Sequence, residues 1–96
     1  HLNHKRIILV DDKPVGIYAV HTTQDGDLFI NEISISKEYQ NKGIGKKILE
    51  EQLKENHEKG IRTILQVFKD NPAKKLYEQL GFKIYGETET HYQMEN

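Results

Sequence analysis

Residues Gln40-Asn41-Lys42-Gly43-Ile44-Gly45 stand between an apolar run, 28–35, and an amphipathic stretch, 44–59. A strand, a glycine-bearing turn and a helix start in that order can bind a phosphate. The first-turn N–H groups of a helix have no intrahelical partner, and the peptide dipoles add partial positive charge, so an anion there meets several donors together. Gly43 and Gly45 carry no Cβ, which lets the backbone approach such an anion closely. Lys37, Lys42, Lys46 and Lys47 surround the turn and attract a polyanionic ligand.

Two common nucleotide motifs do not fit. Gln40 stands where a Walker loop needs its first glycine and Lys47 where it needs a hydroxyl, and Ile48 occupies the third glycine position of a dinucleotide fingerprint. A second chemical segment lies at Asn71-Pro72-Ala73-Lys74-Lys75-Leu76-Tyr77-Glu78-Gln79-Leu80-Gly81-Phe82. By spacing it is a short helix with Asn71 as N-cap, Pro72 in the first helical position and Gly81 as the stop. Ala73, Leu76, Tyr77 and Leu80 make its buried face, so spacing alone reads Tyr77 as core.

Together the two segments resemble the GNAT superfamily of acyl-CoA-dependent N-acyltransferases. Residues 40–45 match its pyrophosphate loop, Gln/Arg-x-x-Gly-x-Gly/Ala, and residues 71–82 resemble its Asn-(x)-x-Ala-x-x-Leu-Tyr-Glu-x-x-Gly-Phe signature. One helix and one strand between them also fit. The resemblance implies acetyl-CoA as acyl donor, lying in a gap between two splayed parallel strands. Its pantetheine would bond the strand edge at Ile33, Ser34 and Ile35 and contact Asn71. Its pyrophosphate would sit on the backbone of Gln40, Asn41, Lys42, Gly43, Ile44, Gly45 and Lys46.

The same resemblance gives Tyr77 to the leaving sulfur and a strand glutamate, here Glu32, to the amine proton, directly or through water. Asn31 occupies the commonest position for that glutamate, so a solvent-facing Glu32 remains open. Relatives that modify protein N-termini carry a glutamate where this chain has Gln66, which cannot act as a base. His91 and Tyr92 fall on the strand that helps close the acceptor pocket. The resemblance implies an N-acetyltransferase in which a primary amine of a small molecule or peptide attacks the thioester directly in a ternary complex. The alternative is a non-catalytic acyl-CoA-binding or oligomerising module.

The elements that must position these residues are readable in the chain. Residues 5–10 and 15–21 form a hairpin about Asp11-Asp12-Lys13-Pro14, and Gln24-Asp25-Gly26-Asp27 turns the chain into a third antiparallel strand, 28–36. Ile44, Ile48, Leu49 and Leu53 stripe a helix over 44–59, with Glu50–Lys54 and Glu55–Lys59 at ion-pair spacing and Gly60 as a left-handed cap. A strand over 61–68, reached by that crossover helix, runs parallel to 28–36. Residues 82–85 and 91–94 close as a hairpin around Gly86. The expected fold class is α/β (α+β): a mixed, mostly antiparallel central sheet with one splayed parallel pair and two main helices, as a single domain over 1–96.

Net charge is −1, from 14 basic and 15 acidic side chains, which makes no broad electrostatic case for nucleic acid or membrane. There is no cysteine, so a cysteinyl intermediate, a disulfide framework and a thiolate zinc site are excluded. His1, His4, His21 and His57 show no metal-ligand spacing, and no metal is expected. With no apolar run of about 18 residues and no signal peptide, a cytoplasmic location is expected. The family's usual first strand and two helices have no counterpart ahead of residue 5, and the sheet edge this leaves would encourage a homodimer.

Overall fold

The computed structural model describes residues 3–96; the expectation for His1 lies outside them. Six strands, β1 (Asn3–Val10), β2 (Lys13–Thr22), β3 (Leu28–Ile35), β4 (Thr63–Phe68), β5 (Lys83–Glu87) and β6 (His91–Glu95), form one sheet in the order β1-β2-β3-β4-β6-β5. Helix α1 (Ile44–Lys59) crosses from β3 to β4, and the short α2 (Ala73–Gln79) follows β4. Every strand pair is antiparallel except β3–β4.

The β1–β2 hairpin turns on two residues only. Asp11 and Asp12 both take left-handed φ angles, 51° and 65°, which two-residue hairpin turns demand and short acidic side chains tolerate. Lys13 and Pro14, expected in the turn, already belong to β2. Farther along, β2 runs so close to β3 at Gly16 that a Cβ there would collide with the Ser34 carbonyl oxygen. Glycine is a steric requirement at that point.

The expected and observed bounds of α1 coincide, with Gly60 capping at φ 69° and donating to the Asn56 and His57 carbonyls. The helix lays Leu49 and Leu53 on Tyr18, Val20, Ile30, Leu65, Val67, Phe82 and Met94, the main core. Leu76, Tyr77 and Leu80 of the α2 segment pack on the same cluster, so both helices cover one face of the sheet. Asn56, unmarked by sequence pattern, is also buried. A bonded chain satisfies it: Tyr18 Oη donates to Gln52 Oε1, Gln52 Nε2 to Asn56 Oδ1, and Asn56 Nδ2 to Thr63 Oγ1, at 2.9, 3.0 and 2.7 Å.

Local departures have local causes. β4 begins at Thr63: the Ile61 N–H is spent on the Asn56 carbonyl, while the Arg62 carbonyl still accepts from the Leu28 N–H and its guanidinium bridges Asp27 and Glu95. Helix α2 begins at Ala73, with Pro72 at the cap; Asn71 still serves the helix start, its Oδ1 accepting from the Ala73 N–H at 2.9 Å. The α2 face is half-buried rather than buried. Gly86 lies inside β5, where a Cβ would meet the Gln93 side chain, and the β5–β6 turn sits at 88–90, where Thr88 Oγ1 accepts from the Thr90 and His91 amides. Lys59 pairs with Glu55 at 3.0 Å, whereas Glu50 and Lys54 form no ion pair.

Candidate active site

The β3–β4 pairing covers only three residues on each strand, Leu28, Ile30 and the Phe29 between them against Thr63, Leu65 and Ile64. It stops where β3 carries a bulge: Val20 pairs Ile30 and Ala19 pairs Glu32, which leaves Asn31 as the extra residue. A bulge bends its strand and increases its twist, so Asn31 marks where β3 turns away from β4. The expected splay has this as its local cause.

Beyond the bulge, β3 has a free backbone edge. The Ser36 N–H bonds the Val15 carbonyl at 2.7 Å and the Ser34 carbonyl faces Gly16, so both point to β2. Alternation along a strand then turns the amides of Ile33 and Ile35 toward the gap. The Ile35 carbonyl is taken by Gln40 Nε2 at 2.8 Å, which ties the anion turn to the end of the strand. Ile33 N–H and C=O and Ile35 N–H have no strand partner on that side.

The gap holds two adjoining spaces, bridged by α2. A cleft of about 290 Å³ is lined by Phe29, Ile30 and Asn31 of β3, Gln66, Val67 and Phe68 of β4, Asn71, Tyr77 and His91. A groove of about 480 Å³ is lined by Ile35, Tyr39, Gln40, Asn41, Gly43, Ile44, Gly45, Lys46 and Leu76. Leu76 and Tyr77 are consecutive, one in each space. The groove floor is the turn read from the sequence. Gly43 caps α1 at φ 80° with no side-chain acceptor, and the first turn contains no acidic residue, so its open amides face no competing anion. Asn41 is also left-handed, at φ 63°, in the manner of amide-rich anion nests.

Of the expected site residues, Ile35, Gln40, Asn41, Gly43, Ile44, Gly45 and Lys46 meet in the groove, and Asn71 and Tyr77 meet in the cleft. Lys42 lies beside them, its Nζ 5.8 Å above the Tyr39 ring. Glu32 is exposed on the face without helices, accepting from the Ser34 hydroxyl at 3.1 Å; Asn31, not Glu32, lines the cleft. Burial raises the Tyr77 pKa above its ordinary 10.0. Its ring stands edge-on to Phe82 at 5.8 Å, and its hydroxyl bonds no described residue, so it is a protonated donor available to the cleft. Sequence reasoning missed Phe29 and Phe68. Both lie on the face without helices, Phe29 half-buried and Phe68 exposed, a placement set by the tertiary arrangement rather than by any local pattern.

The family model for the acetyltransferase (GNAT) domain matches residues 3–84. The chain belongs to the GNAT acetyltransferase family. Solved GNAT structures share its fold: the PaiA N-acetyltransferase of Thermoplasma acidophilum in complex with coenzyme A has a TM-score of 0.84 at 24% identity, over 98% of this chain and 60% of that one. The ribosomal-protein-S18-alanine N-acetyltransferase of Escherichia coli gives 0.79 at 23%, over 97% and 67%. A candidate streptothricin acetyltransferase of Bacillus anthracis str. Ames, in complex with acetyl coenzyme A, gives 0.81 at 21%, over 96% and 61%. The chain thus spans about three fifths to two thirds of the length of these GNAT structures. No curated protein sequence matches it at a significant level. Among the described residues no helix is long and apolar enough to cross a membrane, and no group of three His, Cys, Asp or Glu could hold a metal.

Proposed function

We propose that this chain, as one GNAT domain over 1–96, transfers an acetyl group from acetyl-CoA to a primary amine by direct attack in a ternary complex. The observation that carries the reading is the open β3 edge running from the bulge at Asn31 into an anion turn with uncapped amides. Ile33 and Ile35 offer the edge on which a pantetheine arm can lie as an added strand; Ser34, expected to share it, lies between them with its backbone turned to β2. Residues 40–46 offer amides and lysine charge to the pyrophosphate. Asn71 has Nδ2 to donate, since Oδ1 is spent on Ala73. Acetyl-CoA supplies an activated thioester carbonyl when bound.

The chain's part in the chemistry follows from what its groups can hold. The amine must lose a proton to attack, because an alkylammonium has a pKa of about 10.4; Glu32, through water, takes that proton toward the face without helices. As the C–N bond forms and the C–S bond breaks, a backbone N–H of the open β3 edge stabilises the carbonyl oxygen and Tyr77 donates to the departing sulfur. A thiol of pKa about 8.5 is a stronger acid than Tyr77, so Tyr77 holds its proton and acts by hydrogen bond, with solvent completing the thiol. Burial favours the neutral form of this half-buried tyrosine, which suits that task.

A second reading, acyl-CoA binding without turnover, draws on the fact that no carboxylate lines the cleft. Thiol release from acetyl-CoA in a panel of primary amines separates the two. Amine-dependent release carries the transferase reading; tight acetyl-CoA binding with no release under any amine carries the second.

A further inference from the structure

On the face without helices, two aromatic–imidazole pairs flank the cleft. His21 of β2 stacks on Phe29 of β3 at 5.2 Å between centroids, and His91 of β6 lies against Phe68 of β4 at 4.1 Å. Each is a cross-strand pair in register, His21 opposite Phe29 and Phe68 opposite His91. The core residues Ile30 and Val67 are the chain neighbours of Phe29 and Phe68, so alternation points both phenyl rings away from the helices. Phe68 is 54% exposed, an apolar cost that its own packing does not recover.

The polar groups near these rings narrow what could cover them. The cleft lining contains no Lys, Arg, Asp or Glu, so an acceptor with a carboxylate, a phosphate or a second ammonium would be desolvated there without a counter-charge. The same lining includes Asn31, held by His21 at 2.7 Å from Nδ1 to Oδ1, and Gln66. These are neutral amides, suited to one amine nitrogen. Glu32 follows Asn31 in the chain on the same face and offers a carboxylate to a single arriving ammonium.

We propose that the acceptor is a monoamine bearing a flat apolar group, an arylalkylamine in class, whose ring seats between Phe29 and Phe68 while its nitrogen reaches past Asn31 to the cleft. This rests on the acyltransferase reading above and specifies its second substrate. Both rings line the one cleft, where an aromatic guest can stack on or meet them edge-to-face, and excess charge rather than size excludes polyamines and amino acids.

The test uses 2-phenylethylamine, spermidine and glycine as acceptors with the wild-type chain, Phe68→Ala and Phe68→Leu. Thiol release gives kcat/KM, and saturation-transfer NMR in the presence of CoA reads amine binding without turnover. The expected result is a preference for 2-phenylethylamine of at least about tenfold over both polar amines. That preference is lost in Phe68→Ala and partly kept in Phe68→Leu, with circular dichroism unchanged in both. Preference for spermidine or glycine, survival of the aromatic preference in Phe68→Ala, or no amine binding at all would overturn the proposal. Binding of 2-phenylethylamine that depends on Phe68, without thiol release, would uphold the aromatic slot and remove the acyltransferase reading.

Discussion

The same two parallel strands are closed over 28–30 and 63–65 and open over 31–35 and 66–68. In the closed half, Ile30 and Leu65 are buried in the core, the Thr63 backbone exchanges hydrogen bonds with Asn96, and Arg62 clamps Asp27 and Glu95. In the open half, one extra residue at Asn31 ends the pairing and leaves backbone groups facing a cleft. Stability and binding are therefore divided along one strand pair. The closed half fixes the distance at which the open half begins.

Substitutions should separate the halves by what they damage. Leu65→Ala, in the closed half and 2% exposed, should cost about 2–5 kcal/mol of stability in urea unfolding, with cofactor affinity falling only as folded protein is lost. Tyr77→Phe, in the open half, should do the reverse: turnover down by about two orders of magnitude, with stability within about 0.5 kcal/mol because the hydroxyl bonds no described residue. Unchanged turnover would remove Tyr77 from the reaction. Asn56→Ala breaks the bonded chain behind the closed half and should cost about 1–3 kcal/mol by the same unfolding assay, with kcat of the folded fraction kept.

Gly43→Ala sharpens the contrast from the cofactor side. At φ 80° a Cβ costs about 1–2 kcal/mol, and relief of that strain would tilt the first-turn amides, so acetyl-CoA affinity should fall more than stability does. The smallest effect is a slope. Burial raises the Tyr18 pKa to about 12, against a partial lowering by Arg6. The unfolded chain therefore releases this proton first, and stability present below pH 10 is lost as pH rises toward 12. Tyr18→Phe should flatten that alkaline loss in thermal unfolding measured across the same window.

Much of this was legible because its cause is local. Gly43, Gly60 and the stripe at Ile44, Ile48, Leu49 and Leu53 determine where α1 starts, stops and packs, and the turn at 40–45 carries its anion chemistry in its own residue types. The bulge is not local. Whether β3 has an extra residue depends on its register against β2, set by Gly16 and by the closed core on the other side. That one residue also decides Glu32: plain alternation from Ile30 would aim it at the helices, whereas the bulge at Asn31 returns it to the face opposite Ala19. The early end of the parallel pairing, the exposure of Phe68 and the placement of Gly86 inside β5 are tertiary in the same sense.

The central claim is that the open half of β3 and the turn at 40–46 together form an acetyl-CoA site. Calorimetric titration of acetyl-CoA into this chain, with ATP as the comparison polyanion, tests it most directly. Micromolar binding of acetyl-CoA, much tighter than that of ATP, is the expected result, since only the thioester ligand also uses the strand edge. Absence of binding, or equal affinity for ATP, would contradict the account, because the turn would then be acting alone or not at all.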